Sequence, residues 1–229
     1  MSAELPTFST RLELVQWVSE HLYSAVVSDS LDSVGLRNQS LGIDIRPLDE
    51  SLVLAGFAKT SRWEPVDASL PIKSNPYETE IAYLDSGKPG DVFVMSVNRH
   101  SQIVPWGELL STACKARGAM GLVADGLVRD SRQILKMKLP VFCTGRRPLD
   151  SAGRGEVVAY DEAITIDGVL IHPGDLIVGD ADGVVVVPGD RIDEVLARSW
   201  KKVAGENRTR DALLKGKLLS EVYDEFEIL

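Results

Sequence analysis

The apolar positions of the chain change period several times, and each change marks an element. Between about Thr10 and Leu22 they recur at helical spacing, through Leu12, Leu14, Val15, Trp17, Val18 and Leu22. "SDSLDSVG" predicts a second helix, with Ser28 or Asp29 suited to capping its start and Gly35 to ending it. "LVLAGFAKTSRW" predicts a strand, and "NPYETEIAYLDSG" a helix with proline near its start and Gly87 just past its end. "GDVFVMSV" predicts a strand opened by a Pro-Gly-Asp turn. Leu109, Leu110, Ala113 and Cys114 then share one helical face, stopped at Gly118. "AMGLVAD" (strand), "DSRQILKMK" (short helix) and "LPVFCTG" (strand) continue the alternation. Strands alternating with short helices predict parallel pairing.

After Gly153 the texture changes. "GEVVAYDEAITIDGVLIHPGDLIVGDADGVVVVP" holds several strands and no helix, with turns at Asp167-Gly168, Pro173-Gly174-Asp175 and Asp182-Gly183. An antiparallel or barrel-like layer packed on the α/β half is expected. From Asp190 to Tyr223 the pattern is helical again, with a break expected near Gly205 or Gly216. Neither an internal repeat nor a linker interrupts the chain. The expectation is one α/β domain over 1–229 with helical ends.

Composition narrows the function classes. The 229 residues are 44% hydrophobic and 26% charged, as in a soluble globular protein. No apolar run approaches the roughly 20 residues that span a bilayer. The start, "MSAELPTFSTRLELV", has neither a basic n-region nor a continuous apolar run, so a cytoplasmic location is expected. The net charge is −9, and the basic stretches "WKKVAGENRTR" and "TGRRP" are short. That weighs against nucleic acid, where neutralising phosphates supplies most of the affinity. Cys114 and Cys143 form no CxxC pair and are expected as small buried hydrophobes.

Candidate chemistry gathers in "GELLSTACKARGAMGLVADGLVRD", Gly107 to Asp130. Glu108 opens a helix, where unpaired N–H groups favour an anion. Arg129 and Asp130 follow a buried strand, where α/β sheets place ligand crevices. Taken singly, each charge also has a plain structural role. Glu108 would complement the helix dipole, and Asp130 would cap the next helix. Taken together, a helix N-terminus beside an arginine makes a carboxylate receptor. A pair of carboxylates nearby suits a hard divalent cation that retains water. An anion receptor beside such a metal describes a site for an α-keto acid.

The spacing Glu108, twenty residues, Arg129, Asp130 resembles the acidic-X20-Arg-Asp signature of the metal-dependent 4-hydroxy-4-methyl-2-oxoglutarate aldolases. These belong to the RraA-like family, which also includes a protein regulator of ribonuclease activity. "AGFAKT", "KPGDVFVM", "LPVFCTG" and "IHPGDLIVGDADGVVVVP" look like further family segments in family order, so the resemblance covers about residues 25 to 190. It implies an α/β/β/α sandwich of the swivelling, phosphohistidine-domain-like type, in trimers or paired into hexamers. Asp130 would be the direct ligand of Mg²⁺ or Mn²⁺. Glu108, where many relatives have Asp, would hold a metal-bound water. Arg129 would bind the substrate carboxylate and help neutralise the enolate, and the N–H groups of Leu109 and Leu110, after Gly107, would receive the same carboxylate. Glu206 in "VAGENRTR" is the match for a further acid reaching the metal through water from the C-terminal helix of a neighbouring subunit, within residues 190–229.

The implied activity is cleavage of a 4-hydroxy-2-oxo acid to pyruvate, with oxaloacetate decarboxylation sharing the enolate. A metal-bound water would take the C4 hydroxyl proton, and the Glu-Arg-Asp motif itself offers no lysine for a Schiff base. The rival is a regulator that works by protein contact. That branch is shorter, whereas about 40 residues follow Pro188 here. Outside the motif, His100 and Arg99 are candidates for reaching substrate from the loop before Glu108, each also readable as an ordinary loop residue. Asp125 reads as a turn acid, Trp106 as packing, and His21 and His172 as structural.

Overall fold

A computed structural model describes residues 4–67, 69 and 71–228. The elements are α1 (Arg11–His21), α2 (Ser24–Ser33), β1 (Arg46–Pro47), β2 (Leu54–Pro65), α3 (Glu78–Asp85), β3 (Asp91–Ser96) and α4 (Glu108–Ala116). Next come β4 (Gly121–Ala124), β5 (Leu127–Val128), α5 (Ser131–Met137), β6 (Val141–Cys143), β7 (Gly145–Arg146) and β8 (Gly155–Tyr160). The chain ends with β9 (Ile164–Ile166), β10 (Val169–Ile171), β11 (Leu176–Asp180), β12 (Gly183–Val187), α6 (Ile192–Leu214) and α7 (Leu219–Phe226).

The sheet runs β1-β6-β4-β3-β2-β11-β12, with β8 on the far end of β2. The pairings among β2, β3, β4 and β6 are parallel, as the alternating texture predicts. Of the antiparallel strands, only β9 and β10 form a sheet of their own. β11, β12 and β8 instead extend the main sheet, because the long β2 offers one edge to β3 and the other to β11 and β8 in succession. The segment from Gln39 to Pro47 nearly closes the sheet into a barrel. One end of it bonds to Val184 and Val186 on β12, and the other pairs with β6 at the opposite edge.

Successive residues of the central strands are all buried, but into different cores. Val92 and Val94 face the inside, with Phe142, Ile177, Val184 and Val186, while Phe93 and Met95 face outward. The β9–β10 hairpin fills the inside with Ile164, Ile166, Val169 and Ile171. Its two-residue turn, Asp167-Gly168, has positive φ at both positions, the turn that matches strand twist. On one outer face α3, α4 and α5 cover Trp63, Phe93 and Leu122, and on the other α1, α2 and α6 cover Ala55, Val178 and Val185. Two-sided burial makes these strands read as unbroken apolar runs.

One boundary differs from the sequence expectation, and one open choice is settled. The helix expected from Ser28 or Asp29 begins at Ser24, because Asp180 at the end of β11 accepts from its N–H at 2.7 Å and its hydroxyl at 2.6 Å. That cap comes from 156 residues away, beyond any local signal. Of the two candidate breaks, α6 runs through Gly205 and ends before Gly216, which has φ +89°. Gly205 stays because a Cβ there would collide with the side chain of Ile228, packed against the helix. Among the described residues no helix is long and apolar enough to cross a membrane.

Candidate active site

The motif folds back on itself as its apolar middle requires. Cys114 and Ser111 of α4 are fully buried, β4 is buried throughout, and the chain returns so that Trp106 bridges to Val128. Arg129 N–H donates to the Trp106 carbonyl at 2.9 Å, fixing the two ends of the motif side by side. Trp106 is buried, and its indole N–H is held by Ser111 Oγ at 2.7 Å, which supports the packing reading.

Asp130 adopts left-handed backbone (φ +56°, ψ +27°) at the N-terminal flank of α5, a conformation that L side chains rarely take. The plain role, capping α5, is not what its side chain does: no side-chain cap is present there. Oδ2 instead accepts the Glu108 N–H at 3.1 Å, across 22 residues. No side chain of α4's own flank caps it, because that flank is Gly107. A Cβ at Gly107 would stand 2.7 Å from Asp130 Oδ2 and 3.1 Å from Arg129 Cγ. Glycine is what lets the two segments meet. The first-turn N–H groups of Leu109 and Leu110 have no partner within the helix, and both residues border the same space.

That space is a cleft of about 350 Å³. Gly107, Glu108, Leu109, Leu110, Arg129 and Asp130 line it, so the motif converges as its spacing predicts. Arg129 is lightly held. Nε is 3.7 Å from Asp130 Oδ2, Nη1 is 3.3 Å from Asp150 Oδ1, and one hydrogen bond runs to the Leu149 carbonyl at 3.2 Å. Much of its donor fork is unspent. Among the described residues the Glu108 carboxylate accepts one hydrogen bond, from Thr112 Oγ1 at 3.4 Å. Lys115 lies in the same stretch, but its ammonium turns to the Met137 carbonyl, outside the cleft.

Other candidates lie elsewhere. His100 is not part of the cleft wall; its Nδ1 accepts the Gln102 N–H at 3.3 Å within its own turn. Arg99 is spent on Asp44 and Asp167, which raise its pKa by hydrogen bonding. Glu206 faces α2 in its own chain, bonded to the Tyr23 hydroxyl. Asp125 is buried, accepting the Val97 N–H at 2.6 Å, as a strand-ending acid would. His21 stacks on Trp17 and His172 pairs with Asp175, both structural. Cys114 and Cys143 are free and buried, and burial pushes Cys114 up to about 12.

Three ionisable residues of the cleft escape the sequence reading: Tyr77, Glu80 and Asp150. The Tyr77 hydroxyl donates to Asp150 Oδ2 at 2.6 Å. Burial pushes Asp150 up, but Tyr77 and Arg129 outweigh it and the net direction is down. Glu80 had a signal available. It stands three and four residues before Tyr83 and Leu84, on the buried face of α3, where an apolar residue belongs.

Residues 24–186 match the RraA-like family, described as Aldolase/RraA, and the chain belongs to it. It is 33% identical over 199 residues to a Halalkalibacterium halodurans protein named "Putative 4-hydroxy-4-methyl-2-oxoglutarate aldolase", covering 87% of this chain and 88% of that one. It is 31% identical to protein DlpA of Legionella pneumophila, with 89% of this chain matched but only 32% of DlpA, so it spans about a third of that relative. Among solved structures, Streptomyces coelicolor RraAS2, an unusual member of the RNase ES inhibitor RraA protein family, superposes with a TM-score of 0.74. There the identity is 30%, over 86% of this chain and 96% of that one.

Proposed function

We propose that this protein is a divalent-metal-dependent aldolase that cleaves a 4-hydroxy-2-oxo acid, such as 4-hydroxy-4-methyl-2-oxoglutarate, and releases pyruvate. The observation that carries the reading is the turn of Asp130 away from its own helix, onto the start of α4, beside an arginine with donors to spare. The donor set suits the metal. Among the described residues no three acids, histidines or cysteines stand close enough together to hold a metal ion by themselves. Asp130 and Glu108 offer hard oxygens in an open cleft, which fits Mg²⁺ or Mn²⁺ with several waters retained rather than a closed zinc site. When bound, the ion supplies a Lewis acid for the 2-oxo group.

The chain's own residues do the rest. Arg129 receives the substrate carboxylate through its planar fork, and the N–H groups of Leu109 and Leu110 donate to the same carboxylate. Glu108 orients the water that takes the C4 hydroxyl proton. As that proton leaves, C4 becomes a carbonyl carbon and the C3–C4 electron pair forms the pyruvate enolate, whose charge Arg129 offsets. A proton added at C3 completes pyruvate, and oxaloacetate decarboxylation would pass through the same enolate. Glu206 of a neighbouring copy, in a trimer or hexamer, belongs to this proposal, as do a cytoplasmic location and the swivelling, phosphohistidine-domain-like type for the barrel-like sheet.

The competing reading, a ribonuclease-binding regulator, draws on the likeness to RraAS2. The unspent donors of the cleft support the enzyme instead. Purified protein with Mg²⁺ or Mn²⁺ is expected to release pyruvate from 4-hydroxy-4-methyl-2-oxoglutarate in a coupled assay, and EDTA to stop it. Inactivity across a panel of such oxo acids would overturn the aldolase.

A further inference from the structure

Glu80 has no task in the chemistry proposed above. Its residue is only 7% exposed, and no hydrogen bond or ion pair joins its carboxyl to another described residue. On one side it lines the cleft. On the other it lines a second cavity of about 40 Å³, bounded also by Trp63, Lys73, Glu78 and Glu156. That space is large enough for a water, and the buried Trp63 indole N–H in its wall has no acceptor among the described residues. An unpartnered carboxyl thus separates a reaction cleft from a polar chamber.

We propose that Glu80 is the proton carrier of the cleft, donating to C3 of the pyruvate enolate and taking its proton back from the small chamber. The inference rests on the aldolase reading. In the step, the Glu80 O–H bond breaks as the C3–H bond forms, and the enolate C2–O⁻ becomes the ketone. Water in the chamber then returns one proton to the Glu80 carboxylate, balancing the proton lost from the C4 hydroxyl to solvent.

The charges facing Glu80 suit this work. On the cleft side they are Arg129, Asp150, Asp130 and Glu108, with the Tyr77 phenol. On the chamber side they are Lys73, Glu78 and Glu156, of which Lys73 and Glu156 are already paired. The surplus is acidic. Burial first, and Asp150 second, push Glu80 up to about 7 against a smaller downward pull from Arg129. A carboxyl so placed gives and takes protons near neutral pH.

Deuterium exchange at pyruvate C3 reads the step directly. Wild-type protein with Mg²⁺ in D₂O is expected to exchange these protons, faster as pH rises through 7, since forming the enolate needs the carboxylate. Cleavage of 4-hydroxy-4-methyl-2-oxoglutarate is expected to fall over the same range, since it needs the acid. Glu80→Gln should lose on the order of a hundredfold in exchange and both pH dependences, with Glu80→Asp recovering part of each. Wild-type rates and pH limbs in Glu80→Gln overturn the proton carrier and leave the aldolase standing. Wild-type protein that neither exchanges nor cleaves sinks the aldolase and this inference together. If Glu80→Gln does not fold, Glu80→Asp decides: displaced limbs support the proposal, and unchanged limbs overturn it.

Discussion

Two clusters in this protein share their ingredients, one arginine and two aspartates, and differ in what is left over. Arg99 meets Asp44 and Asp167, and Arg129 meets Asp130 and Asp150. Each arginine side chain is 38% exposed, so exposure does not separate them. Pairing geometry does. Arg99 hydrogen-bonds both partners, through Nη1 to Asp44 and through Nε to Asp167 Oδ1 at 3.1 Å. That contact holds the Asp44 carboxyl below its usual range. It ties the turn of the inner hairpin to the segment that closes the sheet, and the guanidinium is consumed. Around Arg129 the nearest carboxylate oxygens stand at 3.3 and 3.7 Å, and Asp130 spends one oxygen on a backbone N–H. A satisfied cluster is a clasp; an unsatisfied one with a cavity in front of it is a candidate site.

The sharpest way to break that contrast is to remove one aspartate from each cluster. Asp130→Ala should cost on the order of a thousandfold in pyruvate release, while Asp167→Ala stays within about threefold of wild type, as expected of a residue outside the reaction. Equal losses in the coupled assay, with both variants folded, would erase the distinction. Arg129→Lys comes next, at roughly a hundredfold in kcat/KM, because an ammonium cannot reproduce the bidentate fork. Gly107→Ala should follow at tens of fold or more, by displacing Asp130 and Arg129. Its thermal midpoint should hardly move, and a large drop there would make Gly107 a folding residue instead.

Stability sharpens the comparison from the other side. Burial raises Glu80 from 4.5 to about 7, so its own contribution to stability is fully present below pH 4.5 and is lost as pH climbs through 7. Glu80→Gln removes that loss. It should stabilise the protein at pH 8 by on the order of 2–3 kcal/mol and change little at pH 4.5, as read by denaturant unfolding at the two pH values. A cleft residue whose removal stabilises the fold is held for chemistry. The smallest effect belongs to the clasp. Arg99→Ala should cost about 1 kcal/mol, since its ion pairs are half exposed, and should leave pyruvate release unchanged. A loss of turnover without a loss of stability would return Arg99 to the site.

Much of this was legible along the chain because it rests on short-range rules. Period, glycine and the Asp-Gly turn at 167–168 mark helices, strands and the inner hairpin with no knowledge of their partners. The spacing from Glu108 to Asp130 works for the same reason. One helix, one turn and one strand have a nearly fixed length, so the two ends return to each other. Glu80 was half legible, as a carboxylate on a helix face that otherwise reads apolar.

The remainder depended on partners far away in sequence. The start of α2 is set by Asp180, and the need for glycine at 205 by Ile228 packed against α6. Arg99 and Arg129 look alike as letters, each an arginine close to a strand end. Only the closed sheet brings Asp44 and Asp167 onto the first, and only the cleft leaves the second with donors to give. Local propensity and repeat length act within a few residues and determine the elements and the motif's return. Desolvation and hydrogen-bond satisfaction depend on everything packed around a group, so which charges are spent and which are free was decided by the tertiary structure alone.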